Sequence, residues 1–526
     1  MNSKQSNNSA LGALDRFRKQ AKALKKAVRA GEPAALGRLS AVLGDRADAV
    51  RHSDCLHVVA REAGYASWPA MKFDLETAAL DREGRQQRLV QALYEGAHNQ
   101  VERLLGSDPD LADGHIGLLC ALFDRKGVEN ILNRDPEAAT RVSGRRTPIL
   151  HLAFSRRHRA HPEKVADSLA IADLLLDHGA GIDDSMPANG HDESGEVWKL
   201  SVLYGALGHA GNVALARWLL ERGANPDDNE SFYHATELGN LDGVRLMMEF
   251  GATLNGTNAF FRMLDFDSFE GAKLMLEYGA DPNECPTQWM VAAHRNQRGN
   301  ALHHAIRRGR DGRFIALLLD AGADPMAEYL GHSAYALARI HGNRDAARAL
   351  NGGGHATPLS ESERFLAAIA DGDVATVAAL RPRANQLIAG LHPEEQELHI
   401  EAARMRDGFA RLKGLIEAGF DPARLDRHEK ITALHGAAWC GRADHVEYLL
   451  GFPQDLEHRN VYGANALGTA IHGSTNCPDA ETGDYLRAVS LLIDAGVSIN
   501  PDRGDLLMGT EAVTLLVEAA LEERGR

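Results

Sequence analysis

No run of eighteen consecutive apolar residues occurs in this 526-residue chain, so no segment reads as a membrane span. Cysteine is scarce. The five residues, at positions 55, 120, 285, 440 and 477, are odd in number and far apart. They fit neither a disulfide framework nor zinc-ligand spacing, which points to a reducing compartment. Basic residues are outnumbered, 58 Lys and Arg against 73 Asp and Glu, for a net charge of −15. That deficit argues against duplex nucleic acid as the main ligand, since phosphate contacts need a basic surface. The N-terminus, MNSKQSNNSALGALDRFRKQ, lacks the apolar run of a secretory signal. Together these absences lead to the expectation of a soluble cytoplasmic protein.

What is present is periodic. Thr432-Ala433-Leu434-His435 opens a helical pattern, and Asn465-Ala466-Leu467 opens another thirty-three residues later. Asn300-Ala301-Leu302 and Ser333-Ala334-Tyr335 show the same offset of thirty-three. A fixed period of this size marks one supersecondary unit stacked on copies of itself, which also relieves a long chain of the need for one core. Second-helix endings recur as LLLDHGAGID, WLLERGANPD, LMMEFGATLN, LMLEYGADPN and LLLDAGADPM. Their glycines, Gly179, Gly223, Gly251, Gly279 and Gly322, stand where a helix ends in positive φ, open to glycine without a Cβ penalty. The spacing from Gly223 to Gly251 to Gly279 is twenty-eight, so the middle units are expected to have lost residues from the projecting turn.

These units, and Thr147-Pro148-Ile149-Leu150-His151 with its one extra residue, resemble the ankyrin repeat. The segment HVVAREAGYASWPAMK and the restart LSESERFLAAIADGD resemble a bacterial family of long ankyrin-repeat proteins with a helical leader and two arrays. The resemblance implies an all-α solenoid and is nearly silent on activity. It also implies that the histidines at positions 151, 303 and 435 bridge backbone groups between adjacent units. The expectation of a scaffold or adaptor, binding a protein partner in the concave groove of the arrays, comes from repeats whose positions are all structural and from the lack of a catalytic set.

The expected layout is a disordered tail over 1–10 and a helical N-terminal module over 11–85. A first array follows over 86–350, then a Gly-rich linker over 351–359 and a second array over 360–526. In the N-terminal helix Leu14, Phe17, Ala21, Leu24 and Val28 share one face and Arg and Lys fill the rest. Residues 1–85 hold 15 Lys and Arg against 10 Asp and Glu. This polarity suits docking on neighbouring helices with a solvated basic face, or anchoring to an anionic membrane or nucleic acid.

No catalytic set stands out. His158-Arg159-Ala160-His161 lacks a third metal ligand and reads as a solvated loop. The acids of Asp265 to Glu270 lack calcium-loop spacing, and Gly352-Gly353-Gly354 has no lysine after it for a phosphate cradle. Cys440 and Cys477 read as buried or incidental thiols. No cofactor and no metal are expected, and the chain is not expected to be an enzyme. The alternative is an enzymatic site in an inserted loop, over 156–168 or 288–298.

The projecting turns carry Asp183, Asp184, Asp227, Asp228, Glu230, Asp281, Glu284, Asp324 and Glu328. In a solenoid such turns line up along one edge of the concave face, making distant acids neighbours. With Trp289 as an aromatic anchor, they are the candidate partner-binding residues, for a protein partner with a basic surface. Trp198 and Phe232 lie nearby and could anchor a partner or fill the stack.

Overall fold

The computed structural model describes residues 2–44, 52–191, 197–228, 230–284, 299–477, 479–499 and 509–523. The repeating unit is seen most cleanly in the helices Ala433–Trp439 and Ala443–Leu450. Thr432 Oγ1 accepts from the His435 N–H, and His435 Nδ1 accepts from the Thr432 N–H, so two amides at the helix start are satisfied reciprocally. Asn300 and His303 form the same capping box one array earlier. Leu434, Ala437 and Ala438 are buried, and the two alanines are small enough for a neighbouring first helix to approach closely. Gly441, at φ +60°, turns the chain into the second helix, whose Val446 and Leu449 are buried while Leu450 is half-buried. Gly179, Gly223, Gly251, Gly279 and Gly322 all take positive φ, between 78° and 92°.

Two compact units result. One comprises Arg82–Pro358, and the other joins Met1–Asp81 to Leu359–Arg526. The first unit stacks eight helix pairs among the described residues. They begin with Arg82–Glu95 and His98–Ser107, Ile116–Ala121 and Arg125–Leu132, then Pro148–Ala153 and Val165–Asp177. In the fourth, Val202–Tyr204 runs on through a wider turn, Gly205–His209, before Val213–Glu221. The later pairs are Ser231–Ala235 with Asp242–Glu249, Ala259–Asp265 with Phe269–Glu277, Ala301–Arg307 with Gly312–Asp320, and Ala334–Ile340 with Arg344–Gly352. Many second helices start at a side-chain cap: Asp124, Asn212, Ser268, Asp311 and Asn343 each accept an N–H of the first turn.

Sheet is confined, among the described residues, to two hairpins in projecting turns. Strand β1 (Ser185–His191) pairs antiparallel with β2 (Val197–Ser201), Ser185 opposite Ser201. Strand β3 (Glu328–Tyr329) pairs with β4 (His332–Ser333). The described parts of the turns in the twenty-eight-residue units have no strands, as expected of shortened turns. The chain is therefore an all-α ankyrin-repeat solenoid with two small hairpins.

In the other unit, Ser360 and Glu363 make a capping box at the start of Glu361–Asp371. The pairs Leu398–Arg404 with Phe409–Ala418, Ala433–Trp439 with Ala443–Leu450, and Ala466–Asn476 with Tyr485–Asp494 follow, and Glu511–Glu523 is the last helix. A helix spans Asn2–Arg29, which takes in residues 2–10 ahead of the apolar pattern. Leu14, Ala21 and Leu24 enter a core with Leu39, Leu56, Val59, Trp68 and Met71. Ser67 caps the helix Trp68–Ala78 through the Ala70 N–H, and Gly64 takes φ +88° before it. Leu515 of the last helix packs on that core, and Lys72 is ion-paired with Glu518. The apolar face of the N-terminal helix is thus spent on packing.

Candidate functional site

The turns of the first array are built by side chains that answer backbone amides. After each Gly-Ala comes an Asx-Pro-x or similar triplet. Asn225, Asp281 and Asp324 each accept the N–H two residues on, at 3.0, 2.8 and 2.8 Å. Proline between them has no N–H to compete, so the turn closes on the side chain. The residue that ends the triplet reaches forward to the next turn. Asp183 accepts from the Asn225 N–H at 2.8 Å, and Asp227 from the Thr253 N–H at 2.7 Å. Asn255 accepts from Asp281 at 3.1 Å and Asn283 from Asp324 at 2.7 Å. Four side chains therefore form a ladder that fixes five successive turns.

The second acid of each doublet faces backward. Asp184 accepts from the hydroxyl of Thr147, the residue before Pro148–Ala153, and Asp228 from the hydroxyl of Ser201, which caps Val202–Tyr204. Asp228 also accepts from the Ser231 N–H at 2.8 Å. The pairs Asp183-Asp184 and Asp227-Asp228 do the same two jobs, each tying its turn to the units before and after.

Among the acids singled out from sequence, Asp183, Asp227, Asp281, Asp324 and Glu328 are exposed, and Asp184, Asp228 and Glu284 are half-buried. None of these eight has a basic side chain within ion-pair distance among the described residues. Glu230 differs: it is only 7% exposed and bonds His234 Nε2 at 3.2 Å. Trp289, like the whole 288–298 segment, lies outside the described residues. Trp198 is half-buried in β2, and Phe232 is buried in the stack.

Glu230 begins an ionic chain that sequence spacing did not reveal. His234 Nδ1 meets Glu237 at 2.9 Å, and Glu237 pairs with Arg262. Arg262 reaches Asp265 at 3.2 Å, and Asp265 binds His304 Nε2 at 2.8 Å and Arg308 Nε at 2.7 Å. The chain crosses three consecutive first helices. Burial opposes charge on His234, but its bonds to Glu230 and Glu237 outweigh this and raise its pKa to about 9. Tyr204 and Tyr233 pack edge-on to its ring at 5.2 and 4.8 Å.

The segment around His158 corrects the expectation of a solvated loop. Arg157 is 6% exposed and pairs with Glu102 at 2.6 Å. Arg156 donates from Nε and Nη2 to the His209 carbonyl at 3.1 and 3.0 Å and from Nη1 to the Glu95 carbonyl at 3.3 Å. Arg159 donates to the Ala210 carbonyl at 2.9 Å. His209 Nε2 meets the Tyr94 carbonyl at 2.9 Å, and their rings lie 3.9 Å apart. Arg146 stacks on Tyr94 and Phe154 at 4.6 and 5.3 Å. The insert is a clasp that binds the first, third and fourth helix pairs together. Arginine suits it because several forked donors can satisfy carbonyls left open at helix ends.

The repeating histidines are structural hydrogen-bonders of two kinds. His303 Nε2 meets the Ala327 carbonyl in the following turn at 3.0 Å, a bridge between units. His151 instead meets Ser143 O, in the turn before its own helix, at 3.2 Å. Burial lowers the pKa of His151 and His435 to about 4, so both are neutral near pH 7. Among the described residues no three His, Cys, Asp or Glu side chains converge as a metal site, and no helix is long and apolar enough to cross a membrane.

No protein-family model matches this chain, and no curated protein is similar to it at the sequence level. Among solved structures, the human ASB11 ankyrin repeat domain is similar over 49% of this chain and 96% of that one, at 15% identity and a TM-score of 0.23. The ankyrin repeat domain of Bcl-3, described as a unique member of the IkappaB protein family, is similar over 50% of this chain and 100% of that one, at 18% identity and a TM-score of 0.22. The assignment of the fold rests on the repeats themselves.

Proposed function

We propose that the chain is a non-enzymatic protein-interaction scaffold whose first array holds a partner with a basic surface along its turn edge. The observation that carries this reading is the file of carboxylates, Asp183, Asp227, Asp281 and Asp324 foremost, exposed on four of five successive turns and without a described cation against them. Ladder bonds hold Asp183 and Asp227 and bonds within their own turns hold Asp281 and Asp324, so binding would cost little further ordering of side chains. Complementary charge of this kind raises association rates and selects partners by sign.

Two other readings have less support. An enzymatic site in the 156–168 insert competes with the clasp, which already occupies Arg156, Arg157 and Arg159. Anchoring through the N-terminal helix competes with the core that buries Leu14, Ala21 and Leu24. Fluorescence anisotropy with short labelled Lys/Arg-rich and Asp/Glu-rich peptides tests the proposal on the full chain. Binding of the basic peptides alone, weakened by salt, is expected. Equal affinity for both sets would refute a charge-selective edge.

A further inference from the structure

Cys440 and Cys477 follow the first helices of neighbouring units, Ala433–Trp439 and Ala466–Asn476, at their C-terminal ends. Their Sγ atoms lie 3.8 Å apart, in contact and unbonded, and each residue is 6% exposed. Both are free thiols. The two backbones come close here because Gly473 has no side chain: a Cβ on it would run into the Trp439 carbonyl, next to Cys440. Gly483 allows a second approach, since a Cβ there would lie 2.8 Å from Cys440 O.

The surroundings favour a thiolate. The positive charges of Arg404 and Arg442 favour ionisation at Cys440. Arg442 is held in place by donating to the Arg404 carbonyl at 3.2 Å and to Thr482 Oγ1 at 2.8 Å. Contact with the Cys440 thiol, aided by the Asp479 N–H, holds the Cys477 thiol below the ordinary thiol range. Burial instead pushes the Cys55 thiol up to about 11. A thiolate is the reactive form of cysteine, so reactivity is concentrated at this pair.

We propose that Cys440 and Cys477 are a reversible oxidation site, closing to a disulfide that staples two adjacent units of the second array. The oxidant is a hydroperoxide, with hydrogen peroxide the smallest. The Cys477 thiolate attacks one peroxide oxygen, the O–O bond breaks, and a sulfenic acid forms while hydroxide leaves and takes up a proton as water. Cys440 sulfur then attacks Cys477 Sγ, the S–S bond forms, and the S–O bond breaks. The departing hydroxide takes the Cys440 proton. Two thiols and one peroxide give one disulfide and two waters, with each sulfur losing one electron and the peroxide gaining two. A dithiol reductant reverses the step by exchange.

The test treats the full-length protein with hydrogen peroxide near neutral pH, blocks remaining thiols with N-ethylmaleimide, and maps peptides by mass. The expected product is a Cys440–Cys477 cross-linked peptide that disappears on treatment with dithiothreitol. Recovery of both cysteines as free alkylated thiols would overturn the proposal. So would Cys477 carried on to sulfinic acid with Cys440 still free. In C440S the sulfenic acid has no resolving thiol, so dimedone labelling of Cys477 should rise several-fold over wild type. Equal labelling in a folded C440S would also overturn it, and should that variant fail to fold, the wild-type map decides.

Discussion

Asp227 holds Thr253 with both carboxylate oxygens: Oδ1 accepts the backbone N–H at 2.7 Å and Oδ2 the hydroxyl at 2.8 Å. One side chain thus fixes where the next turn begins, and the same carboxylate keeps its charge at the surface. On the proposed function, structure and recognition draw on the same group, and isosteric substitution can separate them.

Asn255 and Asn283 already fill the ladder position without charge, each accepting from the next turn and donating to Gly279 O or Gly322 O. Asp227→Asn is therefore expected to change the unfolding free energy by no more than about 0.5 kcal/mol. Asp227→Ala, which orphans two donors, should cost about 1–2 kcal/mol. Urea denaturation of both variants measures the difference, and equal losses would show that the ladder bond has no share in stability.

The clasp gives a larger effect. Truncating Arg156 to alanine leaves the His209 and Glu95 carbonyls without its donors and should destabilise the first unit by about 2–3 kcal/mol. Amide hydrogen exchange should quicken around residues 94–96 and 205–211 and stay unchanged beyond residue 300. Unaltered exchange at His209 would reduce the insert to an ordinary loop.

His234 makes stability depend on pH on the alkaline side. Its folded pKa, about 9, lies above the ordinary histidine value, so its contribution is complete below pH 6.5 and is lost as pH rises through 9. The shift corresponds to about 3 kcal/mol at most. Melting of wild type should fall across this window, and Glu237→Gln should flatten the fall. An NMR titration placing the His234 pKa below 7 would contradict the ionic chain as described.

Acid acts through other histidines. Burial lowers His151, His158, His399 and His435 to about 4 and His209 to about 3. Below pH 6.5 the unfolded chain binds a proton at each of these sites while the native chain does not. Stability therefore falls with pH, by about 1.4 kcal/mol per unit for each histidine, until the folded pKa is reached. Urea midpoints measured between pH 7 and 5 check the slope, and His209→Gln should make it shallower.

Much of this was legible in sequence where the determinant is local. The glycines after second helices, the Ser360–Glu363 cap and the apolar face of Leu14, Ala21 and Leu24 all follow from neighbours within a turn or two, whereas His435, expected to bridge units, caps its own helix with Thr432. The clasp was hidden because Arg156 meets residues fifty to sixty positions away, and an arginine-rich stretch reads as solvated unless its carbonyl partners are known. The Glu230–His234–Glu237–Arg262–Asp265–His304 chain was hidden because local i,i+3 and i,i+4 pairs are joined by two links, Glu237–Arg262 and Asp265–His304, that cross between units of unequal length. For the thiol pair the signal was present: Cys440 and Cys477 occupy equivalent ends of adjacent first helices, thirty-seven residues apart. The acids of the turns were visible as acids, but their second task as ladder rungs was not.

The central claim is that the charge of the turn edge, apart from its hydrogen bonding, recruits a basic partner. The most direct measurement compares wild type with the fourfold variant Asp183→Asn, Asp227→Asn, Asp281→Asn and Asp324→Asn, titrating a labelled Lys/Arg-rich peptide at several salt concentrations. The account predicts unchanged folding by circular dichroism, affinity reduced at least about tenfold at low salt, and a shallower salt dependence. Wild-type affinity and salt dependence in a folded fourfold variant would contradict it.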